Sequence, residues 1–253
     1  MRSNDRKEDV TKQYGEWIDV HVLDLEGDHQ LSGLDRNGLM ALSKATYVIQ
    51  TIAPIVSSDN NNHLEDPLLS LHKSTIESSL KLKWVGYLSS TGVYGDHGGE
   101  WVNECSELRC MDSKSMARVS AEHAWRRCLA QLNSRLDIFR CGGIYGPDRN
   151  LLRLAWKSDA DNFKAPSASE PPKYVNRILV DDISSVLLLA ASSSTSCDGE
   201  IYNLVDDYPA PRDEVLDEAY KLLGLSPRVA AIFDGTNRHT SDILLFGVIL
   251  KKQ

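Results

Sequence analysis

The chain has little with which to cross a membrane, lock itself with disulfides or hold a metal. No run of about 18 apolar residues occurs, so nothing in it reads as a membrane-spanning helix. The apolar stretch DILLFGVILKK (Asp242–Lys252) is too short to span a bilayer; it reads as a buried strand or helix end, with a surface anchor as the alternative. The 5 cysteines (Cys105, Cys110, Cys128, Cys141, Cys197) are odd in number and scattered, with no CxxC or CxxxH spacing. That excludes a disulfide framework and a zinc site, and points to a reduced intracellular compartment. A basic excess is also missing: 28 Lys and Arg face 36 Asp and Glu, for a net charge of −8, which argues against nucleic acid and anionic membrane as main partners. The start, MRSNDRKEDV, is polar and acid-containing, unlike a signal or transit peptide. A soluble intracellular protein is expected, in the cytoplasm or in an organelle such as a plastid or mitochondrion.

What is present is ordinary globular material: 253 residues, 42% hydrophobic and 25% charged, enough for one large domain or two small ones with a sizeable core. Short apolar runs read as strands at Trp17–Leu25, Ala45–Ala53, Lys83–Ser90, Arg135–Gly143, Arg177–Val180 and Glu200–Val205. Amphipathic segments lie between them. His63–Leu80 carries leucines at helical spacing around Pro67, which suits a first turn. Asp112–Ser134 opens on an Asp/Ser cap and lines up Ala117, Ala121, Ala124, Cys128 and Leu132 on one stripe. Asp181–Ser192 reads as a helix capped by Asp181 and Asp182, and Pro211–Gly224 as one that opens on Pro and stops at Gly. Ser158–Lys173 and Ser192–Gly199 read as loops. Near-continuous apolar strands alternating with helices predict an α/β fold, a doubly wound parallel sheet covered on both faces.

Several spaced motifs then align with one family. They are Thr51-Ile52-Ala53-Pro54 after a strand, the string from Ser89-Ser90-Thr91-Gly92-Val93-Tyr94 to Gly95, the string Phe139 to Pro147 (FRCGGIYGP), Ile178-Leu179-Val180-Asp181-Asp182, and Ile201-Tyr202-Asn203-Leu204. In this order and spacing, over roughly Arg2 to Gly224, the chain resembles the extended short-chain dehydrogenase/reductase superfamily, the NAD(P)-dependent epimerase/dehydratase group, and within it the atypical branch. The resemblance implies a Rossmann-like NAD(P)-binding domain over 1–145, incomplete at its N-terminus, and a smaller C-terminal substrate-binding part over 146–253, with 181–205 returning to the Rossmann core. It also implies a homodimer through the helix at Asp112–Ser134.

The resemblance fails at one place. Such folds receive the cofactor pyrophosphate on a glycine-rich turn at a helix N-terminus, and no GxGxxG occurs in this sequence. The expectation is a chain that begins about one and a half strand–helix units into the fold, as a truncated gene model, an alternative transcript or a divergent protein would. Cofactor binding is then expected to be weak or absent. Arg2 would stand where relatives meet the 2′-phosphate of NADP; a solvated terminal Arg explains it equally.

The implied cofactor residues are Asp24 and Leu25 on the adenine side, Thr51, Ala53 and Pro54 on the ribose side, and Cys141, Gly142, Gly143 and Ile144 near the nicotinamide; strand-end packing accounts for each as well. For chemistry, relatives use a Ser or Thr at the strand end with a Tyr and a Lys four residues apart on one helix face. The resemblance assigns Ser90 to the first role, with Thr91 beside it. It sets Lys114 at the Tyr position and Arg118 at the Lys position. Arg118 can donate to a ribose but cannot lose its proton, and Lys114 could act as a base only if desolvated. The plain alternative is that Lys114, Arg118, Glu122 and Arg126, at i, i+4 spacing, form a solvated salt-bridged stripe. Tyr94, Arg149 and Arg177 are candidates on the substrate side, an Arg there suiting phosphate or carboxylate. Leu179 stands where many relatives have His. His97 and His123 lack a telling partner. Past Pro227 the sequence does not match the family's last elements. Three functions follow: an NAD(P)-dependent epimerase, dehydratase or reductase acting on a sugar nucleotide, an idle nucleotide- or partner-binding protein, or a truncated product with little function of its own.

Overall fold

The computed structural model describes residues 4–25, 33–56, 64–147, 174–193 and 199–222. The chain divides into two units, Met1–Asn150 with Pro172–Arg212, and Leu151–Pro171 with Asp213–Gln253. In chain order the first unit holds α1 (Asn4–Tyr14), β1 (Leu23–Asp24), β2 (Gly33–Leu34), α2 (Arg36–Lys44), β3 (Tyr47–Gln50), β4 (Ile55–Val56), β5 (Leu64–Glu65), α3 (Pro67–Glu77), β6 (Trp84–Ser90) and α4 (Ser113–Leu129). It continues with β7 (Arg135–Cys141), β8 (Gly143–Tyr145), β9 (Tyr174–Val175), β10 (Arg177–Leu179), α5 (Val180–Ser192), β11 (Ile201–Leu204) and β12 (Ala210–Pro211). α6 (Arg212–Leu222) supplies the described part of the second unit, and its Val215, Leu216 and Ala219 are buried.

Four of the expected strands build the frame, a parallel sheet in the order β11-β7-β6-β3. Trp84 to Ser90 pair with Arg135 to Cys141, Tyr47 to Gln50 with Trp84 to Tyr87, and Ile201 to Leu204 with Ile138 to Cys141. Because side chains alternate along a strand, each strand feeds two cores. Val85, Tyr87, Leu136 and Ile138 meet Ala121, Trp125, Cys128 and Leu129 of α4 and Leu68, Leu69 and Ile76 of α3. On the other face Trp84, Phe139 and Cys141 meet Ile183 and Leu187 of α5. Trp84 sits edge-on to Phe139 at 6.4 Å, and Tyr202 stacks on Phe139 at 5.5 Å. Burying each such side chain stabilises the fold by roughly 1.5–3 kcal/mol.

The helix starts follow local chemistry. Asp66 caps α3 by accepting from the Leu68 and Leu69 N–H groups, with Pro67 in the first turn as expected. Asp112 caps α4 through the Ser115 N–H at 2.9 Å. At α5 the expectation is corrected: Leu179 is the cap residue, with no side-chain bond, and Asp181 and Asp182 lie in the first turn, where their charge complements the helix dipole.

The expected strand Trp17–Leu25 is also corrected. Only Leu23–Asp24 is a strand, and it pairs antiparallel with β2 outside the main sheet. Trp17 is 90% exposed, and Ile18 has extended backbone without a ladder. β-branched composition gives an extended backbone; a strand also needs a neighbour to take its hydrogen bonds. β3 is accordingly an edge of the sheet among the described residues, with Tyr47 and Ile49 about half exposed. No described helix is long and apolar enough to cross a membrane.

Candidate functional site

At the C-terminal end of β6, Ser90 keeps strand dihedrals (φ −143°, ψ 146°) and its Oγ accepts from the Gly92 N–H at 3.2 Å. One 3-10 turn, Thr91–Tyr94, follows. Gly95 then takes φ +73°, and a Cβ there would stand 2.2 Å from the Arg109 carbonyl oxygen, so only glycine fits. The chain doubles back at this point, the Arg109 N–H donating to the Tyr94 carbonyl at 2.9 Å. His97 belongs to this return loop, its Nε2 lying 3.2 Å from the Glu107 carbonyl.

The first turn of α4 faces the same loop. Gly92 has no side chain where a Cβ would meet Ser115 Oγ at 3.0 Å and Ser90 Oγ at 3.5 Å. The close approach sets two hydroxyls around one glycine. Lys114 points to solvent, and Arg118, one turn on, is half-buried. Tyr87 lies beneath, fully buried, with its hydroxyl unpaired among the described residues. Burial raises its pKa, the Asp66 and Glu122 carboxylates add to that, and Arg118 opposes them.

Behind the loop runs a buried polar network. Glu122 Oε1 accepts from Ser89 Oγ at 2.6 Å and from Arg140 Nε at 3.2 Å, and Glu122 Oε2 from Arg140 Nη2 at 2.8 Å. Arg140 Nη1 donates to Tyr94 Oη at 3.1 Å, its guanidinium 5.0 Å above the Tyr94 ring, and Tyr94 Oη donates to Asn203 Oδ1 at 2.7 Å. Burial alone would lower the Arg140 pKa; the hydrogen bonds to Glu122 and Tyr94 outweigh it, and the net shift is upward. Glu122 therefore does not belong to a solvated stripe with Lys114, Arg118 and Arg126: its carboxylate is 2% exposed and committed to Arg140. Tyr94, expected on the substrate side, is 2% exposed with its hydroxyl bonded to Arg140 and Asn203.

The remaining expected residues scatter. Thr51 and Ala53 are exposed and Pro54 half-buried just past β3, at the same end of the sheet as Ser90. Leu25 packs against the α3–α4 core, and Asp24 is paired with Gly33 in the antiparallel β1–β2 ladder. Cys141 turns into the α5 core, where burial pushes its thiol up to about 11. Gly142 donates to the Leu204 carbonyl, and a Cβ on it would stand 2.9 Å from the Asn176 carbonyl oxygen, so its bareness serves the chain's own backbone. Gly143 and Ile144 pair with Arg177 and Ile178. Arg177 is held by Asp206 at 3.7 Å, but its Nη1 is buried without a partner among the described residues. Arg149 lies outside the described residues.

Ser115 and the Glu122–Arg140 network escaped the sequence reading. The signal was a second arginine near the end of β7 (RLDIFRC), at a position that alternation turns to the same side as Leu136 and Ile138, where a charge needs a buried partner.

Neither a protein-family model nor a curated protein matches the chain. Solved structures do. A conserved protein of unknown function from Silicibacter pomeroyi is 29% identical with a TM-score of 0.66, over 90% of this chain and 70% of that one. UDP-glucose 4-epimerase from Thermus thermophilus, in complex with NAD, is 17% identical with a TM-score of 0.58, over 81% of this chain and 70% of that one. dTDP-glucose 4,6-dehydratase from Bacillus anthracis, in complex with NAD, is 16% identical with a TM-score of 0.57, over 89% of this chain and 79% of that one.

Proposed function

Because the chain has the fold of the extended short-chain dehydrogenase/reductase superfamily, that of the NAD-dependent epimerases and dehydratases, we propose that it is a nucleotide-binding protein that holds NAD(P) or a sugar nucleotide weakly at the Ser90 end of the sheet. In this reading it does not run the tyrosine-dependent proton transfer of that fold. One observation carries the proposal: the strand end keeps Ser90 and α4 keeps the half-buried Arg118, while the helix position that would move the proton holds Lys114, exposed to solvent. A lysine that works as a base is a desolvated one.

The residues fit a dinucleotide in part. Ser90 and Arg118 are hydrogen-bonding groups suited to the ribose and nicotinamide end, and Thr51 and Ala53 are open to solvent just past β3, at the same end of the sheet as Ser90. The pyrophosphate has no glycine-rich turn in this sequence. Cys141 and Gly142 are spent on packing. Bound NAD(P) would supply hydride chemistry; what this chain contributes is a hydroxyl at Ser90 to orient an oxygen and a fixed positive charge at Arg118. The related epimerase and dehydratase structures hold NAD, and their names specify sugar nucleotides, which supports the ligand class.

A 15N NMR titration of the chain with NADH, NADPH and UDP-glucose tests this. Expected are shifts at Ser90–Tyr94 that Ser90→Ala weakens, with a dissociation constant of about a millimolar, some 4 kcal/mol short of micromolar binding. Micromolar affinity, shifts insensitive to Ser90→Ala, or cofactor-dependent conversion of UDP-glucose or dTDP-glucose would overturn it.

A further inference from the structure

We infer that Ser89, Glu122, Arg140 and Tyr94 act together as a polar clamp that sets the position of Ser90, so that they are positioning residues for the nucleotide site although none of them reaches it. The inference rests on the reading of Ser90 given above, and its test separates the two.

The loop Ser90–Tyr94 is held at both ends by one ion pair. At its start, Ser89 sends its hydroxyl to Glu122 at 2.6 Å. At its finish, the Tyr94 hydroxyl accepts from Arg140 at 3.1 Å and donates to Asn203 at 2.7 Å. Glu122 and Arg140 close the circuit with two contacts of their own, at 3.2 and 2.8 Å. Ser89 is the register partner of Arg140 in the sheet, and Arg140 is that of Asn203, so three adjacent strands and α4 fix the same loop.

All four clamp residues are 6% exposed or less, and the network's polar atoms are paired with one another, so it takes no ligand itself. Stability alone does not account for it. Buried ion pairs seldom stabilise more than apolar residues of the same volume would, and the sheet ladders already join β6, β7 and β11. What the clamp adds is direction. With Ser89 tied to the α4 face, the alternation of the strand sends the next side chain, Ser90, the other way. Its Oγ is then free to meet Gly92 N–H and the sheet end. With Tyr94 tied behind, the 3-10 turn cannot drift from Ser115.

The experiment uses the full chain and two gentle variants, Ser89→Ala and Tyr94→Phe, each of which leaves the Glu122–Arg140 pair intact. NADH affinity is measured by 15N NMR for each, alone and combined with Ser90→Ala. Positioning through Ser90 predicts about a fivefold loss in the parent and almost none once Ser90 is gone. Equal fold-losses in both backgrounds, the mark of a merely structural role, would overturn the inference. If the parent chain binds no NADH, the nucleotide reading fails and the clamp is judged on the free protein. Amide exchange at Gly92, whose N–H is bonded to Ser90 Oγ, should then rise about threefold or more in both variants while Val85 in mid-strand is unchanged. Unaltered Gly92 exchange sinks the clamp. Should Tyr94→Phe fail to fold, Ser89→Ala decides by the same readouts.

Discussion

Arg140→Met isolates a buried charge. Arg140 is 3% exposed and Glu122 2%, and the guanidinium supplies two of the three hydrogen bonds that the carboxylate receives in the described structure. Methionine fills most of the arginine volume, so the cavity is small and the loss is electrostatic. The Glu122 carboxylate would keep only the Ser89 hydroxyl, and Tyr94 Oη only Asn203. Breaking such a pair from one side costs about 3–5 kcal/mol. In a domain of this size that lowers the melting temperature by roughly 6–20 °C. The double variant Glu122→Leu/Arg140→Met removes both charges, and should lie within about 2 kcal/mol of the parent. Urea unfolding followed by far-UV circular dichroism at pH 7 gives midpoint and slope for all four proteins. A single-variant loss below about 1 kcal/mol, or a double variant as unstable as the sum of its singles, would refute the reasoning.

Gly95→Ala should destabilise by at least about 2 kcal/mol in thermal melts, because alanine at φ +73° also drives a Cβ to 2.2 Å from the Arg109 carbonyl oxygen. His72 accepts from the Leu34 N–H at 3.0 Å through Nε2, and burial lowers its pKa below the ordinary 6.5. Its contribution is therefore complete above pH about 6.5 and lost as pH falls through the folded value; urea midpoints from pH 7.5 down to 5.5 should fall less steeply in His72→Gln. Thiol labelling of the native protein at pH 8, read by mass spectrometry, should reach the exposed Cys105 while the buried Cys128 and Cys141, both with thiols pushed up to about 11 by burial, react only on unfolding.

Much of the frame was legible residue by residue. WVGYLSS and IYNL are largely apolar, and RLDIFRC keeps Leu, Ile, Phe and Cys between its charges; each became a strand of the parallel sheet. Asp66-Pro67 and Asp112 carry capping chemistry that works whatever surrounds them. The end of β6 was legible too, since a strand that breaks into Ser-Thr-Gly marks a loop at a sheet end; the choice of Ser90 within it came from the family resemblance. Trp17–Leu25 was not, because an isolated β-prone run says nothing of whether another strand lies beside it.

The stripe Lys114, Arg118, Glu122 and Arg126 shows the limit most clearly. Spacing of four residues sets charges on one helix face, and local sequence determines that. Whether the face meets water or a strand is decided by how α4 rolls onto β6 and β7. The structure answers differently for each member: Lys114 and Arg126 in solvent, Arg118 half-buried, Glu122 sealed against Ser89 and Arg140. Sequence alone determined the strands of the parallel sheet, the caps at Asp66 and Asp112 and the loop where β6 ends, because these rest on backbone preference and contacts within a few residues. Only the tertiary structure decided which charges are buried and what holds the serine in place, because those partners lie 18 to 109 positions apart and meet only when three strands and a helix have packed.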